Sequence, residues 1–299
     1  MLLVTYNIQW GCGRDNVIDL ARIARTIAAA DIIALQEVER HWRADTGDQP
    51  EQFAALFPNH HWIYGPAVDL DGSTREKDGR VINRRRQYGN LILSRWPISS
   101  VRSWGLTKYP VHGHMNDHSI LLETVIEAPG GAIRFYNTHL NYLSTEQRRR
   151  QVEEVLAIIT EAPRQGPVII GAGPDDLSFM HEGGVGDRPL PSMPSPAILT
   201  GDFNMECQSP EYLRIVGDRD RNYGRLFAAD RLSDALTVAG VPEGQGITFP
   251  EKEGEEAQRI DHFFITHDLV PTVKRGWIDE DADGSDHQPV WLELARPAV

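Results

Sequence analysis

Cysteine is scarce in this chain, with only Cys12 and Cys207 among 299 residues. That is too few for a disulfide framework and fits a reducing, cytoplasmic setting. No apolar run approaches the roughly 18 residues that a membrane span needs. The stretch Met1 to Trp10 lacks the basic start, the continuing apolar segment and the small-residue cleavage site of a secretory leader. Positive charge is short as well: 30 Lys and Arg against 43 Asp and Glu leave a formal −13. Such a surplus opposes sequence-independent attraction to DNA, although a bound divalent cation and a local basic patch can reverse the sign at one face. No phosphate loop ending in Gly-Lys-Ser/Thr and no Gly-x-Ser-x-Gly elbow is present. Gly11-Cys12-Gly13 falls short of a dinucleotide loop, because Asn16 stands where the third glycine belongs.

What is present alternates short apolar runs with helical spacing, the pattern of an α/β protein. The runs predict strands at Leu2 to Ile8, Ile32 to Val38, Asn90 to Ser94, Ile120 to Ile126, Ile133 to Leu140, Ala197 to Asp202, Ile260 to Thr266 and Pro289 to Leu294. Val17, Leu20, Ala21, Ile23, Ala24 and Ile27 recur at helical spacing. Further helices are predicted around Pro50 to Phe57, Thr145 to Thr160, Pro210 to Val216 and Leu232 to Ala239. Ser144 is placed to cap the second of these, with Gln147 as its capping-box partner. Between Ala162 and Pro196 the chain turns rich in Pro and Gly, while the patterns on either side look like parts of one sheet system. A single domain over residues 1–299 with an inserted loop at about 162–196, a lid or an assembly contact, is therefore expected.

Several strands end in polar groups that carry chemistry. Gly201-Asp202-Phe203-Asn204 follows an apolar run, and a carboxylate and a carboxamide two residues apart can address one water, the first taking its proton and the second orienting it. The alternative is an Asx turn closing the strand. Ser285-Asp286-His287 enters a strand with neighbouring side chains that point different ways, so one can hold a metal while the other faces a phosphate. Arg259-Ile260-Asp261-His262 places a carboxylate in an apolar strand, where it needs a partner and a histidine ring would serve. His262 alternates to the opposite face and reads as structural. His139 in Asn137-Thr138-His139-Leu140, Glu37 in Leu35-Gln36-Glu37-Val38 and Asn7 in Thr5-Tyr6-Asn7-Ile8 are likewise polar groups at strand ends. Oxygen donors of this kind suit Mg²⁺ or Mn²⁺ better than Zn²⁺.

The ordered series Thr-Tyr-Asn, Gln-Glu-Val, Tyr88-Gly89-Asn90-Leu91-Ile92-Leu93-Ser94, Asn-Thr-His-Leu, Gly-Asp-Phe-Asn, Arg-Ile-Asp and Ser-Asp-His, from residue 5 to residue 287, resembles the motif set of the endonuclease/exonuclease/phosphatase family. The resemblance implies a two-sheet α/β sandwich, the DNase I-like four-layer fold, with helices on the outer faces. It implies Asn7, Glu37 and Asp286 around the metal, Asp202 as general base and Asn204 orienting water or phosphate. Asp261 would fix the tautomer of His287, and His287 with His139 would stabilise charge on the phosphoryl oxygens. Arg84, Arg86, Asn90 and Asn141 are the expected substrate contacts, the two arginines as a phosphate-side clamp leading into the Tyr88 motif. Gln9 stands where some members carry an acidic residue, so the metal shell holds one carboxylate fewer.

The function expected is that of a Mg²⁺- or Mn²⁺-dependent phosphoric ester hydrolase acting on a small or lipid-linked phosphodiester or phosphomonoester. The alternatives are a DNA nuclease and a catalytically silent binding module. The number of ions and the oligomeric state stay open. His112, His114 and His118 cluster in a segment that could bind a transition metal, and a solvated or substrate-facing loop is preferred there.

Overall fold

The computed structural model describes residues 1–44, 46–169, 191–250 and 256–295. Its strands are β1 (Leu2–Asn7), β2 (Ile32–Arg40), β3 (His61–Asp71), β4 (Thr74–Arg75), β5 (Val81–Ile82), β6 (Arg85–Ser94), β7 (Ile98–Gly105), β8 (Ile120–Ile126), β9 (Ile133–His139), β10 (Ala197–Asp202), β11 (Ser233–Asp234), β12 (Asp261–Ile265), β13 (Val273–Ile278) and β14 (Val290–Leu294). The helices are α1 (Leu20–Ile27), α2 (Gln49–Leu56), α3 (Thr145–Gln165), α4 (Pro210–Val216) and α5 (Ala235–Val238). Two six-stranded sheets run β13-β14-β1-β2-β6-β3 and β11-β12-β10-β9-β8-β7, and β4 and β5 form a small separate ribbon.

Alternation along the strands builds the layers. Leu3, Ala34 and Ile92 of the first sheet meet Leu122, Phe135, Ile198 and Phe263 of the second in the central core. The intervening residues Val4, Ile33 and Leu91 face outward against Leu20, Ile23 and Ile27 of α1 and Phe53 of α2. Leu121, Tyr136 and Leu199 likewise face Val152, Val155 and Ile159 of α3 and Tyr212 and Ile215 of α4. The result is helix, sheet, sheet, helix, the four-layer sandwich expected from the sequence. Strands covered on both faces read as unbroken apolar runs, which is why the central ones are legible.

The connections β1-α1-β2 and β9-α3-β10 are the two crossovers between parallel strands, and every other ladder pair is antiparallel. Parallel neighbours end at the same edge of the sandwich. Asn7 pairs with Gln36, while Asp202 pairs with both His139 and Asp261, so strand ends from both sheets meet along one rim. Gly201 lets β10 approach β9: its φ is +141°, and a Cβ there would fall 1.8 Å from the Thr138 carbonyl oxygen.

Some expectations need correction. The edge strands β3 and β7 were not predicted, nor were β13, the β4–β5 ribbon and the short β11. Pro66 interrupts β3 at a register shift, and β7 is mostly exposed, so neither carries the apolar signature of a central strand. Leu232 to Ala239 is not one helix. Ser233 and Asp234 pair with β12, and Asp234 then caps α5 by accepting from the N–H groups of Leu236 and Thr237. The Ser144 hydroxyl does cap α3, but Gln147 does not return the bond: its oxygen accepts from Tyr109 and Asn116, and the Ser144 N–H goes to Asn141.

Helix α3 also continues to Gln165, past the expected start of the inserted loop. Pro163 lacks the N–H that would bond the Ile159 carbonyl. The buried Arg134 donates to that carbonyl at 2.7 Å, and also to the carbonyls of Pro194 and Ser195, both at 2.8 Å. The inserted-loop expectation for residues 170–190 falls outside the described residues.

Candidate active site

The rim opens into a cleft of about 1060 Å³ lined by Glu37, Asn90, His139, Asn141, Asp202, Asn204, Asp286 and His287, among others. These arrive from different elements. Asn7 closes β1, and its amide nitrogen donates to Glu37 Oε1 at 3.1 Å and Asp202 Oδ2 at 2.9 Å, with His287 Nε2 at 3.4 Å. Its oxygen accepts the Gln9 N–H at 3.1 Å, so Asn7 bridges the two carboxylates as a donor rather than presenting an open oxygen ligand.

Glu37 reaches the cleft through a β-bulge. Leu35 pairs with Leu91 and Val38 with Gly89, which sets Gln36 and Glu37 against Asn90 alone. Glu37 itself takes a φ of +60°, a conformation that is costly for a residue with a Cβ and is held by its surroundings. The support comes from the other sheet. The Asn137 amide nitrogen donates to the carbonyls of Leu35 at 3.0 Å and Leu91 at 3.1 Å, and its oxygen accepts from Gln36 at 2.7 Å. Tyr88 bonds Glu37, and desolvation together with that carboxylate holds its phenol well above the ordinary value.

Asp202 is buried, with His139 Nε2 at 3.4 Å and His287 Nε2 at 3.7 Å from Oδ2. Burial and the Asp261 charge raise its pKa, while the two histidines and the Asn7 amide pull it down. Asn204, at φ +50°, donates its N–H to Asp202 Oδ1 at 2.9 Å and its amide nitrogen to the Leu140 carbonyl at 2.9 Å. That is an Asx-type turn, and it orients the carboxylate rather than replacing its chemistry. His287 Nδ1 lies 2.9 Å from Asp261 Oδ2, and the Ser285 hydroxyl steadies the chain here by donating to the Asn7 carbonyl at 2.7 Å. Burial works against a charge on His287, but Asp261 and Asp202 outweigh it and push its pKa up to about 10. The Asp261 pairing turns Nδ1 inward and leaves Nε2 on the cleft side, near Asn7 and Asp202.

The expected substrate contacts divide. Asn90 and Asn141 line the cleft, although Asn141 spends its amide on Asn116 and on the α3 cap. Arg84 and Arg86 do not line it: both are exposed, and Arg86 lies over the Trp42 ring at 5.1 Å and donates to its carbonyl. Of the histidine cluster only His118 lines the cleft, and no metal-ligand group among the described residues includes His112, His114 or His118. The sequence reading did not include Trp10, Trp42, Lys108, Tyr142 or Phe249, which also line it. Phe249 packs its ring 5.1 Å from that of His287. These come from loops, whose meeting point no local pattern records.

Among the described residues, no Lys or Arg pairs with Glu37, Asp202 or Asp261. The buried Asp261 Oδ1 has no hydrogen-bond partner. Carboxylates gathered in this way without a basic side chain fit a hard divalent cation with oxygen ligands. Asp202, Asp261 and His287 lie within ligand distance of one another, but the last two are bonded to each other. Glu37 and Asp286, both half-buried on the cleft wall, are the more open oxygen donors. A second group, Cys207, Asp234 and His262, is similarly close, yet Asp234 already accepts from Tyr212, Leu236, Thr237 and the Arg259 guanidinium, which fills a cation's place.

A four-layer α/β sandwich with a carboxylate- and histidine-lined cleft at the parallel strand ends defines a fold class, and the comparisons agree with it. The model of the endonuclease/exonuclease/phosphatase family matches residues 4–287, and the chain belongs to that family, a superfamily of metal-dependent phosphoesterases. No curated protein matches the chain significantly. Among solved structures, it is similar to an endonuclease/exonuclease/phosphatase from Bacteroides vulgatus, with 20% identity and a TM-score of 0.62, covering 99% of this chain and 98% of that one. It is also similar to the mannosyl-6-phosphatase Bt3783 of Bacteroides thetaiotaomicron VPI-5482, at 19% identity, 99% coverage of both chains and a TM-score of 0.59. Truncated Caenorhabditis elegans TDP2 follows at 16% identity and a TM-score of 0.55, covering 98% of this chain and 96% of that one. Identities this low speak to the fold.

Proposed function

We propose that this protein hydrolyses a phosphate ester with the help of one or more divalent cations, Mg²⁺ or Mn²⁺, held by Glu37 and Asp286. The observation that carries the reading is the meeting of Asn7, Glu37, Asp202, Asp261 and His287, spread over most of the chain, within hydrogen-bonding reach of one another. When bound, the cation would polarise the phosphoryl group and offset its charge.

The chain's own residues supply the rest. Asp202 accepts a proton from water as the water oxygen forms the new bond to phosphorus. The P–O bond to the alcohol breaks, and the leaving oxygen departs as the alcohol after taking a proton from solvent. His287, kept charged by Asp261, donates through Nε2 to a phosphoryl oxygen, and His139 flanks the same position. Asn204 holds the Asp202 carboxylate in its orientation, and Asn7 ties that carboxylate to Glu37.

A DNA nuclease is the less favoured reading, given the formal charge of −13 and the absence of Arg84 and Arg86 from the cleft wall. A silent binding module would not need this donor set intact. The test is hydrolysis of aryl phosphomonoesters and phosphodiesters with Mg²⁺, Mn²⁺ or a chelator. Activity is expected to vanish with chelator and to fall roughly a hundredfold in Asp202→Asn, the scale of a lost general base. Turnover that survives both treatments would refute the proposal.

A further inference from the structure

Resting on the phosphoesterase reading, we infer that the outer half of the cleft is a subsite for an uncharged, apolar alcohol group, so that the substrate is an aryl or alkyl phosphate ester carrying no second phosphate. Two observations carry this. The first is the wall itself. Trp42, Val68, Leu70 and Tyr88 line one side, and Met115 and Tyr142 also line the cleft. Leu70 is 47% exposed, Met115 81% and Tyr142 58%. Large apolar side chains left open to water around a polar centre mark a place where an apolar group is covered. The Trp42 and Tyr88 rings are tilted at 48° with centroids 6.1 Å apart, and the Arg86 guanidinium braces the outer indole.

The second observation is charge. Among the described residues, Glu37, Asp117, Asp202, Glu256 and Asp286 line the cleft, against Arg43 and Lys108 among Lys and Arg. Arg43 is already paired with Glu39 and lies over the Trp10 ring at 3.9 Å. A divalent cation would be offset by Glu37 and Asp286 alone, and among the described residues Lys108 and the His287 ring remain as basic groups for one phosphoryl group. A polyphosphate or a nucleic-acid backbone would bring several negative charges into a cleft whose described lining carries more acidic than basic side chains. One phosphoryl group joined to an apolar body meets both walls.

The experiment uses alkyl phosphates and their methyl diesters with methyl, butyl and hexyl chains, in Mg²⁺, followed by release of the alcohol. A fully buried methylene is worth about fourfold in binding at most, so kcat/KM is expected to climb tenfold or more from methyl to hexyl, mainly through KM. Leu70→Asp is expected to lower the hexyl value about tenfold more than the methyl value. A flat series, an equal loss for both chains in Leu70→Asp, or faster cleavage of an inositol polyphosphate or a duplex oligonucleotide would overturn the subsite.

Binding is read separately by tryptophan fluorescence with hexylphosphonate and methylphosphonate and no metal. If no ester is cleaved, the phosphoesterase reading fails. The subsite would still stand on tighter hexylphosphonate binding that Leu70→Asp weakens, and fall on equal binding of the two. The same apolar phosphoester could come from a soluble metabolite or from a lipid. Activity on the monomeric hexyl ester alone marks the first source, and activity on a phosphodiester lipid in zwitterionic vesicles marks the second.

Discussion

Asp261 and His287 lie 26 positions apart in sequence and 2.9 Å apart in space. If the carboxylate acts by holding the ring charged and oriented, it contributes nothing once the ring is gone. Asp261→Ala is expected to lower kcat nearly as much as His287→Ala, with the double variant little worse than either, in a steady-state double-mutant cycle. Additive losses would show that the two act separately.

His262, the neighbour that alternates to the outer face, gives a contrasting residue-scale result. Burial, then the Arg259 charge, lowers its pKa to about 4, with Nε2 bonded to the Met205 carbonyl. A depressed histidine keeps its ring neutral in the fold, while the unfolded chain takes up a proton near pH 6.5. The unfolded state therefore binds more protons between the two values, and stability is lost as pH falls from about 6.5 toward 4, by roughly 3 kcal/mol in all. Urea midpoints measured over that window should show the fall in the parent chain and a shallower one in His262→Gln. The structural reading of His262 from strand alternation agrees with its place among Phe203, Tyr212 and Phe264.

At the scale of elements, the bulge in β2 is what turns Glu37 into the cleft, and Asn137 on β9 is what fills it. Asn137→Ala strands two buried carbonyls, at a cost of roughly 2 to 4 kcal/mol in denaturant melts. It is also expected to weaken divalent-ion binding by calorimetry well beyond a Leu122→Ala core variant of similar stability. Equal ion affinity in the two variants would reduce Asn137 to a packing residue.

The site residues at the ends of central strands were readable because an apolar run buried on both faces is conspicuous and a polar group closing it stands out. Asp202 and His139 are of this kind, whereas Glu37 follows an apolar run but lies inside β2. The bulge was not readable, since Gln36 and Asn137 contribute through partners 31 to 102 positions away. The arginines preceding Tyr88 misled for a related reason. Their spacing shows charge near a motif, while the start of β6 turns Arg86 onto Trp42. Trp42 and Phe249 lay outside local pattern altogether, because loops bring them in.

For the molecule as a whole, the cleft joins both sheets: Asn7 and Glu37 come from the first, Asp202 from the second, and Asp286 from the segment entering β14. An ion bound there stabilises the assembled sandwich and not the unfolded chain. At a hundred times its Kd it would add about 2.7 kcal/mol, several degrees in Tm. Mg²⁺ or Mn²⁺ is expected to raise Tm by that order in differential scanning fluorimetry, and Glu37→Gln should abolish the rise. A Tm indifferent to both ions would remove the metal from the account. Among the described residues, no helix is long and apolar enough to cross a membrane.

Arg134 has a consequence of its own. Its one guanidinium ties the Ile159 carbonyl of α3 to the carbonyls of Pro194 and Ser195, the residues that lead into β10. Loop-closure cost grows only slowly with length. The bonds Arg134 makes to Ile159, Pro194 and Ser195 join two parts of the chain that lie 35 and 36 positions apart.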